Sequence, residues 1–156
     1  MDRFIYEAPD EAATARLGAA LADALPDGTV VGLCGTLGSG KTRLVRAIAE
    51  ASGVDPRIVV SPTFVLIHEY HGRRPIYHLD AYRLHDEDEF LQLGPDEYFD
   101  SPGLTLVEWA ERVEGCLPAE RIEIQIEVTG RQSRRFEIGA CGGRYAEVVA
   151  ELASLG

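Results

Sequence analysis

A glycine-rich segment, Gly35-Thr-Leu-Gly-Ser-Gly-Lys-Thr42, constrains the possible folds of this chain more than any other feature. It matches the pattern G-x-x-x-x-G-K-S/T, whose backbone N–H groups surround phosphate oxygens when the segment lies between a buried strand and a helix. Both neighbours are predicted here, because residues 29–34 form a short apolar run and Leu44, Val45 and Ile48 recur at helical spacing. The sequence therefore predicts a strand–loop–helix unit with a phosphate site at the helix N-terminus.

Lys41 is the only lysine of the chain, and every other basic residue is an arginine. A compact ammonium group on a flexible stem reaches the phosphate oxygens in such a loop, where the planar guanidinium group of arginine is a poor substitute. We therefore expect Lys41 to contact the phosphates and Thr42 to bind Mg²⁺. The predicted ligand is a nucleoside triphosphate.

The composition is that of one globular domain. The chain has 156 residues, of which 46% are hydrophobic, and it is long enough to bury a core. No apolar run approaches the ~18 residues of a membrane span, and the first residues carry no apolar signal core. The three cysteines, Cys34, Cys116 and Cys141, are too far apart in sequence for a redox or zinc pair. We therefore expect a single domain over residues 1–156, located in the cytoplasm, with reduced thiols and no membrane partner.

The charge balance is strongly acidic. The 26 acidic residues outnumber the 15 basic ones, which gives a net charge of -11 and an isoelectric point near 4.7. Because phosphate contacts require a basic surface, we do not expect direct binding to nucleic acid, although the chain can act on nucleic acid through a basic partner. An acidic run, Asp86 to Glu89, fits either a solvated helix start or a docking site for a partner.

Apolar periodicity predicts alternating helices and strands. Helices are expected from Pro9 to Leu25, from Asp86 to Leu93 and from Arg144 to Leu152. Strands, two pairs of which form hairpins, are expected at residues 65–70 with 76–80, at 104–108, and at 121–128 with 135–138. This alternation around a phosphate loop predicts an α/β fold whose sheet is covered on both faces.

Two of the predicted strands end in a carboxylate, at Asp80 and at Glu108. Ligands of open α/β sheets bind at the carboxyl edge of the strands, and nucleotide hydrolysis needs an acid near Mg²⁺ and a group that orients the attacking oxygen. We therefore interpret Asp80 and Glu108 as catalytic candidates, with a solvent-exposed strand end as the alternative for each. His78 shares a strand face with Asp80, because strand residues alternate with period two.

Three further features have two interpretations each. Thr63 follows a Ser-Pro pair where several P-loop families carry a threonine that senses the γ-phosphate, but a simple Ser-Pro turn explains it equally well. Trp109 is expected either to stack near the nucleotide or to face the core or a partner. Arg131, Arg134 and Arg135 lie at a predicted hairpin turn, where they are either solvated or reach the phosphates as an internal arginine finger.

Residue types disfavour two classes of site. The four histidines, His68, His71, His78 and His85, match no tetrahedral spacing and have no cysteine nearby, so we do not expect a zinc site. The chain contains no asparagine and therefore lacks the Asn-Lys-x-Asp motif that reads guanine. ATP is the expected nucleotide.

Motifs beyond the glycine loop extend over most of the chain. They include Asp10-Glu-Ala-Ala-Thr14, Ser61-Pro-Thr-Phe64, His78-Leu-Asp-Ala-Tyr-Arg-Leu84 and Val107-Glu-Trp109. With these motifs the chain resembles the TsaE (YjeE) family, the small bacterial ATPases of tRNA threonylcarbamoyladenosine biosynthesis. The His-x-Asp-x-Tyr-Arg-Leu and Glu-Trp segments are the specific part of this resemblance, because the glycine loop alone fits many families.

The resemblance implies a fold, an activity and partners. The implied fold is a P-loop NTPase-like three-layer sandwich, whose mainly parallel central sheet carries added antiparallel strands. The implied activity is weak hydrolysis of ATP with Mg²⁺, which matters only beside two partner proteins of the TsaD and TsaB type. These partners would transfer a threonylcarbamoyl group to the tRNA adenosine next to the anticodon, so this chain would meet tRNA only indirectly.

The resemblance also implies roles for individual residues. On this basis Lys41 holds the β- and γ-phosphates, and Thr42 and Glu108 bind Mg²⁺. Asp80 orients or activates water, and Thr63 reports the γ-phosphate. Further nucleotide contacts are implied for Glu11 and Thr14 on the adenine side, for Arg131 or Arg134 on the phosphate side, and for the loop residues Gly38, Ser39, Gly40 and Arg43.

Two loop positions depart from the family pattern. Thr36 stands where the family generally has an acid, and Arg43 stands where it has a second threonine.

Two other functions stay open. A small P-loop kinase that phosphorylates a metabolite would need an acceptor pocket and an arginine-rich lid, for which residues 131–135 are the candidate segment. A non-catalytic ATP sensor is the other alternative, and the presence of both Asp80 and Glu108 argues against it.

Overall fold

Seven strands in one sheet organise the fold in a computed structural model of the chain, which describes residues 3–36, 38–59 and 67–155. The strands are β1 (Arg3–Ala8), β2 (Val30–Gly35), β3 (Ile67–His71), β4 (Pro75–Asp80), β5 (Leu104–Glu108), β6 (Arg121–Val128) and β7 (Arg134–Cys141). The helices are α1 (Glu11–Ala24), α2 (Lys41–Ala51), α3 (Glu87–Leu91), α4 (Pro95–Phe99) and α5 (Ala146–Leu152). Short 3₁₀ turns cover Pro56–Ile58, Ala110–Cys116 and Ala153–Leu155.

The centre of the sheet is parallel and its edges are antiparallel. The strand order is β1-β7-β6-β2-β5-β4-β3, in which β2 pairs in parallel with β5 and β6, and β4 pairs in parallel with β5. β3, β7 and β1 are added antiparallel to β4, β6 and β7. This arrangement confirms the predicted fold class and both predicted hairpins. β1 is not among the predicted strands.

The predicted helices are present with small shifts at their ends. The helix expected from Pro9 to Leu25 is α1, and the one expected from Arg144 begins two residues later, at Ala146. Residues 65 and 66 of the predicted hairpin lie outside the described residues. In the part of the chain that the structure describes, no helix is both long enough and apolar enough to cross a membrane.

One face of the sheet is covered by α1, α2 and α5. α1 begins after Asp10, whose carboxylate accepts a hydrogen bond of 2.9 Å from the N–H of Ala13. Its apolar residues recur every three or four positions, so that Leu17 and Leu21 are buried in the same core as Leu44 of α2, which we call the first core. Burial of one such side chain contributes roughly 1.5–3 kcal/mol.

α1 and α2 approach each other closely at Gly18. A Cβ atom at this position would overlap Ala47 of α2, so there is no room for a side chain. The close contact fixes α2 against α1. It thereby fixes the helix that begins at the glycine loop.

The opposite face of the sheet is covered only in part. α3, α4 and the turns at Ala110–Cys116 pack on β2, β4 and β5 and so complete a three-layer arrangement. The core on this face contains Phe90, Val107 and Val113, and we call it the second core. On β6 the same face carries Glu123 and Gln125, because the isoleucines of this strand alternate toward the first core.

Candidate active site

The glycine loop joins the end of β2 to the start of α2. Gly38 and Gly40 have φ angles of 79° and 110°, a backbone region that residues with side chains rarely adopt. Gly40 precedes the first turn of α2, so the N–H groups of that turn have no side-chain cap from this position. N–H groups at a helix N-terminus, together with the helix dipole, favour binding of an anion. The backbone at Gly38 and Gly40 therefore leads into a helix N-terminus that can bind an anion.

Lys41 lies inside this loop. Its ammonium group donates hydrogen bonds to the carbonyl oxygens of Gly35 at 2.7 Å and Thr36 at 2.9 Å, and to the hydroxyl of Ser39 at 3.3 Å. Burial lowers the pKa of Lys41, and the nearby negative charge of Glu108 opposes this shift. The fold therefore keeps an ammonium group between the end of β2 and the N-terminus of α2.

Asp80 and Glu108 end adjacent parallel strands and are paired in register. Both side chains are buried, so the solvent-exposed alternative is wrong for both residues. Burial raises the pKa of Asp80, and the charge of Glu108 raises it further, while a hydrogen bond of 2.8 Å from the N–H of Tyr82 opposes the rise. The structure thus brings the two predicted acids to one edge of the sheet, beside the glycine loop.

Glu108 is held by hydrogen bonds from two neighbouring elements. The hydroxyl of Thr42 in α2 lies 3.0 Å and 2.8 Å from the two carboxylate oxygens. On β4 the Nε2 atom of His78 contacts Oε2 of Glu108, and Nδ1 of His78 lies 3.0 Å from the hydroxyl of Tyr70 on β3. We call Tyr70, His78, Glu108 and Thr42 the Glu108 network. It connects three strands to the first turn of α2.

The donor atoms of Thr42 and Glu108 fit a magnesium ion. Mg²⁺ prefers oxygen ligands and is usually held by one or two carboxylates together with substrate phosphates. In this structure a hydroxyl and a carboxylate oxygen lie 2.8 Å apart next to the glycine loop, so both can contact one ion. Asp80 ends the adjacent strand and is not part of this pair of donor atoms.

A separate cleft opens beside the loop, between the start of α1 and the turn from β6 to β7. Its volume is about 150 Å³, and we call it the side cleft. It is lined by Glu11, Thr14, Gly40, Arg43, Arg131, Gln132, Arg134 and Phe136. The family resemblance implies adenine contacts for Glu11 and Thr14 and phosphate contacts for Arg131 or Arg134. The structure brings these residues together in one cleft.

Arginine contacts connect the side cleft to the loop and to α1. The Nε atom of Arg134 donates a hydrogen bond of 2.7 Å to the carbonyl oxygen of Ser39. Arg43 forms an ion pair with Glu11, with Nη1 and Oε2 3.1 Å apart. Arg135 points elsewhere, since its Nε atom lies 3.7 Å from the carboxylate of Glu7. Of the three arginines at the turn, Arg131 and Arg134 therefore line the cleft.

Trp109 lies beside Lys41 in a strained backbone conformation. Its φ angle is 60°, which makes it the only residue other than glycine with a positive φ in the described ranges. Such a conformation costs on the order of 1–3 kcal/mol and is often found at functional sites. The ring lies 4.0 Å from Nζ of Lys41 and is 4.9 Å from the ring of Tyr82. The same ring packs against the second core, so Trp109 faces both the predicted phosphate site and the core.

One site prediction is untested and one site contact was not predicted. Thr63 lies outside the described residues, so its role stays a prediction. The contact between His78 and Glu108 has no counterpart among the sequence predictions, which place His78 on the same strand face as Asp80 but assign it no partner. The signal for it is the period-two alternation that puts His78 on the same face as Asp80. Within the described residues, no group of three or more His, Cys, Asp and Glu side chains is placed to hold a metal ion.

A strand–loop–helix unit with two buried acids at adjacent parallel strand ends defines a protein of P-loop NTPase-like fold. Comparison with known proteins gives the family. The family model described as "Threonylcarbamoyl adenosine biosynthesis protein TsaE" matches residues 8–136, which include the glycine loop and both acids. The chain belongs to the TsaE family.

Relatives in this family match nearly the whole chain. The tRNA threonylcarbamoyladenosine biosynthesis protein TsaE of Bacillus subtilis (strain 168) is 46% identical over 146 residues, which are 92% of this chain and 89% of that protein. The protein of the same name from Haemophilus influenzae is 35% identical over 133 residues, covering 81% and 84% of the two chains. A crystal structure of Bacillus subtilis YdiB superposes with a TM-score of 0.84 at 35% identity and covers 99% of this chain and 96% of that one.

Proposed function

We propose that this protein binds ATP with Mg²⁺ and hydrolyses it slowly, as a component of tRNA threonylcarbamoyladenosine biosynthesis. The observation that carries the proposal is the convergence of Lys41, Asp80 and Glu108 beside the glycine loop in a chain of the TsaE family. Hydrolysis of a triphosphate needs a cation on the phosphates, a carboxylate for the metal and a group that orients water. The three residues can supply these functions.

Lys41 and the loop backbone would bind the triphosphate. The ammonium group of Lys41 lies at the N-terminus of α2, where its charge offsets that of the β- and γ-phosphates. The N–H groups of Gly38, Ser39 and Gly40 would surround the same phosphates. This arrangement spreads the negative charge of the triphosphate over one ammonium group and several backbone dipoles.

Thr42 and Glu108 would hold the magnesium ion through a hydroxyl and a carboxylate oxygen. When bound, Mg²⁺ neutralises charge on the β- and γ-phosphates. Asp80 would orient the attacking water from the adjacent strand end. Its raised pKa makes its carboxylate a stronger proton acceptor than that of an ordinary aspartate.

The side cleft would receive the adenosine. Glu11 and Thr14 provide a carboxylate and a hydroxyl that can accept a hydrogen bond from the amino group of adenine. Arg131 and Arg134 line the same cleft, and Arg134 also contacts the loop at Ser39, so their guanidinium groups can contact phosphate. Thr63 would report the γ-phosphate, as proposed from the family resemblance.

The protein would act in the cytoplasm through two partner proteins of the TsaD and TsaB type, which carry out the threonylcarbamoyl transfer. Its net charge of -11 opposes direct contact with the tRNA backbone. Contact with tRNA would therefore be made by the partners. Slow hydrolysis of ATP suits a subunit that resets the complex between turnovers.

The proposal is tested by reconstitution. The two partner proteins, tRNA, the threonine-derived adenylate and ATP are mixed with and without this protein, and modified adenosines are counted per partner complex. We expect the protein to convert a single turnover into many, and Lys41→Ala to abolish that gain. An unchanged product yield, together with efficient phosphate transfer from ATP to a small acceptor, would overturn the proposal and favour the kinase alternative.

A further inference from the structure

A fully buried histidine lies behind the Glu108 carboxylate. His78 on β4 is 0% exposed, and its Nε2 atom contacts Oε2 of Glu108. Its second ring nitrogen, Nδ1, lies 3.0 Å from the hydroxyl of Tyr70, which is also buried. Neither His78 nor Tyr70 has a role in the function proposed above.

The sheet register places these side chains on the face that α2 covers. Tyr70 is opposite Ile76, two residues before His78, and Glu108 follows Leu106 by two residues. Because side chains alternate along a strand, Tyr70, His78 and Glu108 lie on the same side of the sheet as the first core, where Ile76 and Leu106 are buried. The contact between His78 and Glu108 is therefore built into the pairing of β4 with β5.

The side chains of the Glu108 network are joined by direct hydrogen bonds. A carboxylate only accepts hydrogen bonds, so His78 donates to Glu108 from Nε2. Nδ1 of His78 shares a second hydrogen bond with the hydroxyl of Tyr70, which fixes the orientation of the imidazole ring. Glu108 thus accepts from Thr42 on one side and from His78 on the other. Two fixed donors restrict rotation of its carboxylate.

We propose that His78 and Tyr70 are positioning residues that hold the Glu108 carboxylate in the orientation required for Mg²⁺. The inference rests on the function proposed above, in which Glu108 is a ligand of the ion. Groups that hydrogen-bond to a metal ligand fix its orientation, and their removal typically lowers metal affinity about 10–100-fold. His78 acts on Glu108 directly, and Tyr70 acts through His78.

The test compares variants that remove different parts of this chain of hydrogen bonds. His78→Leu removes both ring nitrogens, Tyr70→Phe removes only the hydroxyl, and His78→Gln keeps an amide N–H that can reach Glu108. His71→Leu, which changes an exposed histidine of the same hairpin, is the matched control. Binding of a non-hydrolysable ATP analogue is measured by calorimetry over a Mg²⁺ titration and again in EDTA, and each variant is melted by circular dichroism.

We expect His78→Leu to lower the Mg²⁺ affinity about 10–100-fold and Tyr70→Phe to lower it less. His78→Gln should restore part of the loss, and analogue affinity in EDTA should equal that of the wild type. A folded His78→Leu protein with a lower melting temperature but unchanged Mg²⁺ affinity would overturn the inference, because it would show a structural role only.

Two further outcomes are decisive. If His78→Leu does not fold, Tyr70→Phe takes its place: a lower Mg²⁺ affinity supports the inference and an unchanged one overturns it. A wild-type protein whose analogue binding does not depend on Mg²⁺ would overturn the proposed function and this inference with it. The two failures can therefore be distinguished. If only the inference fails, analogue binding by the wild type still depends on Mg²⁺. If the proposed function fails, it does not.

Discussion

The carboxyl edge of the sheet and the side cleft border the same glycine loop but are built differently. At the edge, Asp80 and Glu108 are buried, and Glu108 is fixed by hydrogen bonds from Thr42 and His78. In the side cleft, the side chains of the Arg43–Glu11 ion pair are 46% and 51% exposed. Hydrogen bonds are stronger in a buried environment, whereas an exposed ion pair contributes only about 0–1 kcal/mol. Changes at the edge should therefore affect activity far more than changes in the cleft.

Burial at the edge also has a cost in stability. The pKa of Asp80 is raised in the folded protein, mainly because burial disfavours the charged carboxylate. A carboxyl group with a raised folded pKa destabilises the folded state when it is ionised, so the cost is present above that pKa and disappears below the unfolded value of about 3.9. Ionisation of Asp80, which the proposed function requires, therefore lowers the stability of the folded protein.

The largest expected effect is the loss of hydrolysis in Asp80→Asn. The amide keeps the shape of the side chain, and its oxygen can still accept from the N–H of Tyr82, but it does not accept a proton. We expect ATP turnover in the partner complex to fall about 10²–10⁴-fold, measured as phosphate release. The affinity for ATP should be unchanged.

The same variant tests the stability cost. Because Asp80→Asn removes a buried charge, it should be at least as stable as the wild type near pH 7. The difference should vanish as the pH falls from the raised pKa of Asp80 to about 3.9, where the wild-type carboxyl is also neutral. Thermal melts over this range measure the difference. A variant that keeps full turnover, or that is much less stable near pH 7, would contradict this account of Asp80.

Glu108→Gln is expected to act on the metal rather than on water. The glutamine side chain can still hydrogen-bond to Thr42, but it lacks the negative charge that attracts the ion. Affinity for Mg²⁺ in the presence of a non-hydrolysable ATP analogue should fall at least about 10-fold, whereas Asp80→Asn should leave it unchanged. The opposite pattern would exchange the roles of the two acids.

Trp109→Leu should have an intermediate effect. A cation over an aromatic ring contributes ~0.5–2 kcal/mol, and the Trp109 ring lies 4.0 Å from Nζ of Lys41. Loss of the ring should therefore weaken ATP binding by roughly 2–30-fold, measured by calorimetry. Trp109→Phe should retain most of the affinity. Equal losses in the two variants would attribute the effect to packing against the second core rather than to the ring face.

The smallest expected effect is that of Arg43→Thr, which introduces the residue found in the family pattern. Because the ion pair with Glu11 is exposed, ATP affinity should change by less than about 5-fold, and the change should shrink as salt is added. Arg57→Thr breaks another exposed ion pair, with Asp55, and is the matched control. If Arg43→Thr lowered ATP affinity by a larger factor than Glu108→Gln lowers Mg²⁺ affinity, the cleft and not the edge would be the more sensitive region.

Features with local signals could be predicted from the sequence. The strand, loop and helix around Lys41 follow from a motif and from apolar periodicity, and Asp80 and Glu108 follow from their positions at the ends of apolar strands. β1 could not be predicted in this way. It is defined by pairing with β7, in which Ile5 is opposite Glu137 far along the chain.

The same distinction holds within the site. The contact of His78 with Glu108 depends on the register of β4 against β5, which no local pattern specifies. The position of the Trp109 ring depends on a left-handed backbone conformation that is rare for tryptophan. The sequence therefore predicts the positions of the candidate acids more readily than the contacts that surround them.

In the proposed function, ATP hydrolysis at the buried edge allows the partner complex to turn over repeatedly. This is tested by reconstituted tRNA modification with Asp80→Asn in place of the wild-type protein, with ATP binding and phosphate release measured in the same samples. We predict that Asp80→Asn binds ATP but supports only a single turnover, whereas the wild type supports many. Repeated turnover with Asp80→Asn in the absence of hydrolysis would contradict the account and would identify the protein as a non-catalytic ATP sensor.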